Sequence, residues 1–381
     1  MIYLDNAATS YPKPEAVYNG VERCMREYCA NPGRGGHEMS IASGKAVLYA
    51  REIIAAFFNF KNPMLLSFTK NATEALNIAI KGYLGHGDHV ITTCMEHNSV
   101  IRPLKTLERD AGLEISIIRG DMLGRIDPED IRKAVKPNTR LIAATLSSNV
   151  NGMIMPVREI GKIARETGIA FLLDASQGVG SIDVDAIGMG IDMLAFPGHK
   201  GLMGPQGTGG LYVREGLKLK TIMEGGTGSN SESLYQPEIM PDLLESGTVN
   251  TPGIVGLGLG IEFIREFGLD KLRSHKHMLT KRFYEGLSEN KKAIFYSSPD
   301  MEENSGIIAI NIKDVDSSEV SHVLDRVYGI ATRAGLHCSF LAHNTLGTVK
   351  SGIVRFSVSC FNTPEEIDVT VKALNEIILK V

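Results

Sequence analysis

The chain has 381 residues, 43% of them hydrophobic and 22% charged, with 40 glycines; this suits a folded protein of two domains and excludes a disordered, fibrous or coiled-coil chain. Its 40 basic and 44 acidic side chains are interspersed and give a formal net charge of −4, which leaves no electrostatic case for nucleic acid or an anionic membrane as partner. No apolar run is long enough to span a bilayer and Met1 to Asn6 carry no basic or apolar leader, so a cytoplasmic protein acting on small molecules is expected.

The apolar pattern is informative from residue 64 to residue 213, where short runs alternate with helical periods, as in an α/β sheet. A helical stretch over 75–84 precedes a strand at 90–93, a helix at 99–111 and a strand at 114–118. Asp127-Pro128-Glu129 places a cap, a first-turn proline and an acid ahead of a helix over 131–135. A buried strand at 141–146 leads to a helix over 157–167 closed by Gly168, then to a strand at 169–173. Runs at 193–196 and 211–213 complete this series. From Pro252 the pattern changes to a glycine-studded helix ending at Phe267 and a charged helix over 270–288. Strands around 306–312 and 353–358 and helices over 317–327 and 364–379 follow. The expected architecture is a large domain over residues 16–255 with a mixed, mostly parallel sheet, and a smaller α+β domain formed by residues 1–15 and 256–381. No internal repeat or low-complexity segment is visible.

The five cysteines, Cys24, Cys29, Cys94, Cys338 and Cys360, are odd in number and never in a CxxC spacing. Neither a disulfide framework nor a metal site is indicated. They are expected as free thiols, mostly buried, with all but Cys338 packing as small hydrophobes.

In an open α/β sheet ligands bind beyond the carboxyl ends of the strands. Those positions hold Glu96-His97-Asn98, Ser148-Asn149, Asp174-Ala175-Ser176-Gln177 and Gly198-His199-Lys200. Partial burial of Lys200 would lower the pKa of its amine and make it nucleophilic toward an aldehyde. Taken alone, it reads equally as a surface-loop lysine. Asp174 ends a buried run, where a carboxylate needs a cationic partner. A pyridinium nitrogen is such a partner, and keeping it protonated makes a pyridoxal ring an electron sink. Singly, Asp174 also reads as a helix cap and His97 as a loop histidine. In company, His97 suits stacking on a flat ring and Gln177 suits donating to its phenolate oxygen. Asn71-Ala72-Thr73-Glu74 opens a helix, so the Ala72 and Thr73 end offers backbone N–H groups and a hydroxyl to a phosphate, with His199 as a second contact. The cofactor expected is pyridoxal 5'-phosphate.

These segments, with Tyr3-Leu4-Asp5-Asn6-Ala7-Ala8-Thr9, resemble along essentially the whole chain the class V aminotransferase-fold enzymes, and most closely the cysteine desulfurase and selenocysteine lyase family. The resemblance implies a transferase of fold type I that carries its cofactor as a Schiff base on Lys200. It also implies that His97 stacks on the ring, Asp174 pairs with its nitrogen, Gln177 meets its phenolate and Asn149 faces the substrate. A homodimer is implied, in which Glu245-Ser246-Gly247-Thr248 completes the other subunit's pocket and Thr248 reaches its phosphate. Pro197 stands where many relatives have serine, which shifts the phosphate onto Thr73, His199 and Thr248.

For the reaction, Arg355 matches the family's carboxylate-binding arginine, whose planar fork suits bidentate recognition, and Arg333 is expected beside it. The segment Arg333-Ala334-Gly335-Leu336-His337-Cys338 resembles the catalytic loop of group II desulfurases, with His337 and Arg333 near the thiol as basic groups that favour the thiolate. Lys200, Cys338 and His97 are thus the expected catalytic residues. The implied reaction converts L-cysteine or a related amino acid to alanine and leaves the sulfur as a persulfide on Cys338, for delivery to a sulfur-acceptor protein. Two departures keep a selenocysteine lyase or another C–S lyase open. Leu336 replaces a frequent histidine, and so does Gly33 in Asn31-Pro32-Gly33-Arg34-Gly35-Gly36-His37. More distant readings are a class V aminotransferase and a non-catalytic sulfur-assembly partner.

Overall fold

The structure is a computed structural model that describes residues 1–33 and 35–380; Arg34 of the early glycine-rich loop and Val381 lie outside the described residues. In chain order it contains β1 (Ile2–Tyr3), α1 (Glu15–Glu27), α2 (Glu38–Phe57), β2 (Leu66–Thr69), α3 (Ala72–Tyr83), β3 (His89–Thr93), α4 (Asn98–Ala111), β4 (Glu114–Ile118) and α5 (Pro128–Lys133). Next come β5 (Thr139–Thr145), α6 (Val157–Thr167), β6 (Ala170–Asp174), β7 (Met193–Pro197) and β8 (Gly209–Val213). After an irregular stretch follow α7 (Thr251–Phe267), α8 (Leu269–Leu287), β9 (Ala293–Phe295), β10 (Ile307–Ile312) and α9 (Ser317–Tyr328). The chain closes with β11 (Ile330–Ala331), β12 (Arg333–Gly335), α10 (Phe340–Thr345), β13 (Ile353–Ser357) and α11 (Pro364–Lys380).

Seven strands form one sheet in the order β2-β8-β7-β6-β5-β3-β4. Only β8 runs antiparallel to its neighbours in it. Every residue of β6 and β7 is buried, which explains why they read as continuous apolar runs and not as alternations. The polar residues that follow β3, β5, β6 and β7 therefore emerge along one edge of the sheet. A second, antiparallel sheet has the order β12-β13-β10-β9. Its core combines Ile308, Ile310, Val354 and Phe356 with Leu279 and Phe283 of α8, Leu324 of α9 and Leu374 of α11. The start of the chain joins this second core, since Ile2 pairs with Ile330 in parallel and Leu4 is fully buried there.

The glycines of α7 serve close packing. That helix lies against α1 and α2, and a Cβ on Gly260 would fall 2.4 Å from the Leu202 carbonyl oxygen. The backbone just after Lys200 is therefore pressed against α7, which fixes the loop from outside. No described helix is long and apolar enough to cross a membrane.

Arg51 anchors the irregular stretch between β8 and α7. Its guanidinium takes both carboxylate oxygens of Glu245, at 2.9 and 3.0 Å, donates to the Leu66 carbonyl and lies 4.5 Å from the Phe68 ring centroid. Both partners are almost wholly buried, with side-chain exposures of 5% and 8%. Breaking such a pair strands a charge, whereas removing both charges does not. Glu245→Gln is expected to cost about 3 kcal/mol of stability by chemical denaturation, and an Arg51→Met/Glu245→Met double variant distinctly less than the two single losses added.

Candidate active site

Ala72, Thr73, His97, Asn149, Asp174, Gln177, His199 and Lys200 line one cleft of about 460 Å³ at the carboxyl edge of the seven-stranded sheet. They come from five strand ends or the turns that follow them: α3 starts at Ala72 with Asn71 as its cap, His97 caps α4, Asn149 follows β5, Asp174 ends β6 and Lys200 follows β7. All eight residues expected around the cofactor from this chain are thus gathered in one place.

Lys200 is half-buried, and burial pushes its ammonium down to about 8; Asp174 pulls it up, while Arg355 and Arg333 push it lower. Its loop is strapped by the N-terminal segment. The His199 carbonyl accepts from the Ser10 amide at 3.1 Å, the Thr9 hydroxyl at 3.1 Å and the Lys13 ammonium at 2.8 Å. Ser10 Oγ donates to the Lys200 carbonyl at 2.8 Å. Gln177 is held to the same strap, its Nε2 donating to the Ala7 carbonyl at 2.8 Å.

Asp174 is buried, and this raises its pKa even though Ser176 donates to it through both amide and hydroxyl. Only one of its oxygens is engaged among the described residues. Behind it sits Glu96, fully buried and pushed up to about 8 by that burial, with Oε2 unpartnered. Glu96 therefore holds its proton at neutral pH and adds no negative charge beside Asp174. His97 is driven down to about 4 by burial and by the nearby cations, Lys200 first. Its Nδ1 accepts from the Ser99 amide at 3.1 Å, which leaves the proton on Nε2. Ser99 Oγ lies 2.9 Å from His97 Nδ1 and 2.8 Å from Thr73 Oγ1, linking the two.

The cleft fits pyridoxal phosphate on two counts. The unused carboxylate oxygen of Asp174 calls for a cationic N–H, and His199 Nδ1 is buried with no partner among the described residues, a position a phosphate oxygen satisfies. The hydroxyl of Thr73 and the first turn of α3 stand at the same end.

The residues expected at the substrate lie on the second sheet and its loops. Arg355, 1% exposed, donates to Asp5 Oδ1 at 2.7 Å and to the Asn149 carbonyl at 2.8 Å, and its Nε has no partner. Arg333 is its direct cross-strand neighbour. Two guanidinium groups side by side repel unless an anion sits with them; Asp5 supplies one negative charge, and Arg355 Nε remains free for another.

Cys338 is exposed, with Arg333 Nη2 at 3.9 Å from its sulfur. Its loop is tied to the cleft: Asn149 Nδ2 donates to the His337 carbonyl at 2.7 Å, Ser339 Oγ donates to Asn149 Oδ1 at 2.7 Å, and the Asn98 amide donates to the Cys338 carbonyl at 2.8 Å. Asn149 therefore lines the cleft with its amide already committed to this loop.

His337 does not assist the thiol as expected. Its ring is buried, 3.3 Å from His343 Nε2 and 3.2 Å from the Arg333 carbonyl, and burial pushes it down to about 2, so it is neutral and turned inward. Thr248 is exposed and does not line the cleft of its own chain. Cys29, expected to be packed with the other non-catalytic thiols, is exposed, while Cys24 and Cys94 are buried. Sequence reasoning gave no role to Ser99, Glu96, Asp5 or Ser10. Glu96 and Asp5 stood inside quoted motifs, so their position was visible but their contacts were not.

Residues 2–369 match the family model described as aminotransferase class V. A protein of Methanothermobacter thermautotrophicus described as a probable cysteine desulfurase is 36% identical, over 99% of this chain and 94% of that protein. An apo structure of a cysteine desulfurase from Thermococcus onnurineus NA1 superposes with a TM-score of 0.95 at 34% identity, covering 100% of this chain and 95% of that one. A cysteine desulfurase structure from Escherichia coli gives 0.90 at 25% identity, covering 100% and 95%.

Because Lys200 ionises near 8 in the fold and near the ordinary lysine value of 10.5 when unfolded, the unfolded chain binds more protons between those values and the Lys200 contribution to stability improves as pH rises. In the apoprotein, Lys200→Met should therefore be stabilising relative to the wild type at pH 7, and the advantage should shrink between pH 8 and pH 10.5. Denaturant titrations at several pH values measure this; a constant difference would contradict the assignment.

Proposed function

Since the chain belongs to the class V aminotransferase family, we propose that it is a cysteine desulfurase, taking L-cysteine to L-alanine and carrying the sulfur as a persulfide on Cys338. The observation that carries this reading is the exposed Cys338 thiol, held at the rim of the Lys200 cleft by a loop fastened to Asn149 and Asn98. The names of the relatives support the substrate and the overall reaction.

Members of this family depend on pyridoxal 5'-phosphate, which when bound supplies an electron sink for a proton leaving the substrate α-carbon. Lys200 would hold it, Asp174 would keep its ring nitrogen protonated, His97 would cover its face and Gln177 would meet its phenolate oxygen. Thr73, His199 and the α3 terminus would take its phosphate. Arg355 and Arg333 take the substrate carboxylate, with the free Arg355 Nε as one donor. Lys200 Nζ, ionising near neutrality, removes the α-proton and can return it. The Cys338 thiolate then bonds to the substrate sulfur. The Cβ–S bond breaks with its electrons left on carbon, and protonation there yields alanine.

The same reading extends to assembly. The segment 245–248, fixed by Arg51, presents Thr248 outward, which supports a homodimer in which Thr248 completes the partner's phosphate site. Exposed Phe340 and Leu336 flank Cys338 and suit contact with a sulfur-acceptor protein. Residues 16–255 carry the cofactor half of the site, and the unit of residues 1–15 and 256–381 brings the arginines and the thiol. The chain's free thiols suit a reducing cytoplasm.

The purified protein should show the visible absorption of a bound pyridoxal group, absent from Lys200→Ala. Cys338→Ser should keep that absorption but lose about 100-fold or more of alanine formation from L-cysteine; undiminished turnover would remove the persulfide from the reading. Arg355→Lys, which keeps the charge but not the fork, is expected to lower kcat/KM about 10- to 100-fold, chiefly by raising KM, as steady-state kinetics will show.

A further inference from the structure

A second, small cavity lies on the far side of the Lys200 loop. It shares Gln177 with the active-site cleft and is walled by Gly201, the residue next to Lys200. Its one charged lining residue is Lys276 of α8; no aspartate or glutamate lines it.

Lys276 is placed there by its surroundings. Gly306, with φ of +93°, brings its backbone so close that an added Cβ would lie 2.5 Å from Lys276 Cε. The stem of the lysine is thus wedged and its ammonium directed to Ser181 Oγ at 3.2 Å. That hydroxyl is neutral and already donates to the Gly178 carbonyl at 3.1 Å, so the ammonium has a single, uncharged partner and two N–H bonds to spare. The Cys360 thiol, also in the lining, is pushed up to about 11 by burial and is no counter-ion at neutral pH. The Ser305 hydroxyl lies 2.7 Å from Ser147 Oγ, which is itself 3.1 Å from the Gly152 carbonyl. A cation in a hydroxyl-lined cavity without an opposing charge is a costly arrangement that an anion relieves.

We propose that this cavity is a binding site for one small monovalent anion of halide or hydrosulfide size, held by Lys276 Nζ. The site adjoins the Lys200 cleft across Gln177, while Lys276 itself does not line that cleft. Its walls include Ala7 and Ser10 of the strap that holds the Lys200 loop, so occupancy stiffens the support of that loop and raises stability without entering the chemistry.

Bromide is the probe. Thermal unfolding of the holoprotein is followed at constant ionic strength while gluconate is exchanged for bromide, and crystals soaked in bromide are measured for anomalous scattering. The expected result is a saturable rise in Tm of roughly 2–4 °C that Lys276→Met lacks, and an anomalous peak within hydrogen-bonding distance of Lys276 Nζ. Lys276→Gln serves the same purpose should the methionine variant not fold. An equal bromide response in wild type and variant, or a crystal peak without a saturable Tm change, overturns the proposal. Repeating the titration with chloride and with hydrosulfide tells which anion the cavity prefers.

Discussion

A guanidinium buried as deeply as Arg355 must be surrounded by acceptors, and the way this chain meets that demand joins its distant parts. Arg355 sits in β13 of the second sheet, ion-paired to Asp5 near the chain start and hydrogen-bonded to the backbone of Asn149 after β5 of the first. Asp5 in turn forms a bridge with Ser357, two residues beyond Arg355. One side chain thus locks the N-terminal strap, the first sheet's functional edge and the second sheet into a common arrangement. Removing it would leave Asp5 half-buried without its partner.

The strap carries that constraint to Lys200. Leu4 and Ala7 are fixed against β13 by the hydrogen bonds of Ser357, whose amide donates to the Leu4 carbonyl and whose hydroxyl accepts from the Ala7 amide. Three and six residues after Ala7, Ser10 and Lys13 then grip the carbonyls of His199 and Lys200. Burial on this side, α7 packing on the other and the neighbouring arginines all disfavour the charged amine. Glu96, protonated beneath Asp174, keeps a second carboxylate from offsetting that effect. The reactive amine therefore owes its near-neutral pKa to the whole edge and not to any one neighbour.

Much of this was legible in the sequence wherever a strand is wholly buried. The apolar runs ending at Thr93, Leu146, Leu173 and Phe196 announce themselves, and the polar residues beyond them stand out because packing does not call for them. Contacts between the two ends of the chain were not legible: nothing local to Asp5 says that it pairs with a residue 350 positions away. The helices α1 and α2 escaped notice for a related reason, since their apolar faces are satisfied by α7. His337 shows the limit of reading charge from proximity in sequence. It adjoins Cys338, yet its ring is turned into a neutral stack with His343, 5.5 Å between centroids, and a buried imidazole of that kind cannot favour a thiolate.

What sets the thiol, besides Arg333 Nη2 at 3.9 Å, is backbone. His337 and Cys338 are consecutive non-glycine residues with φ of +49° and +57°, each costing about 1 kcal/mol or more relative to ordinary conformations. Such a turn persists only when surrounding bonds determine it, and here they do. The carbonyls of both residues are taken by Asn149 and Asn98 from the edge of the first sheet, while His343, itself 2.8 Å from Thr348 Oγ1, holds the His337 ring from beneath. Asn149 is also the residue whose carbonyl accepts from Arg355. Arg355 and the loop that presents the thiol therefore share one intermediary.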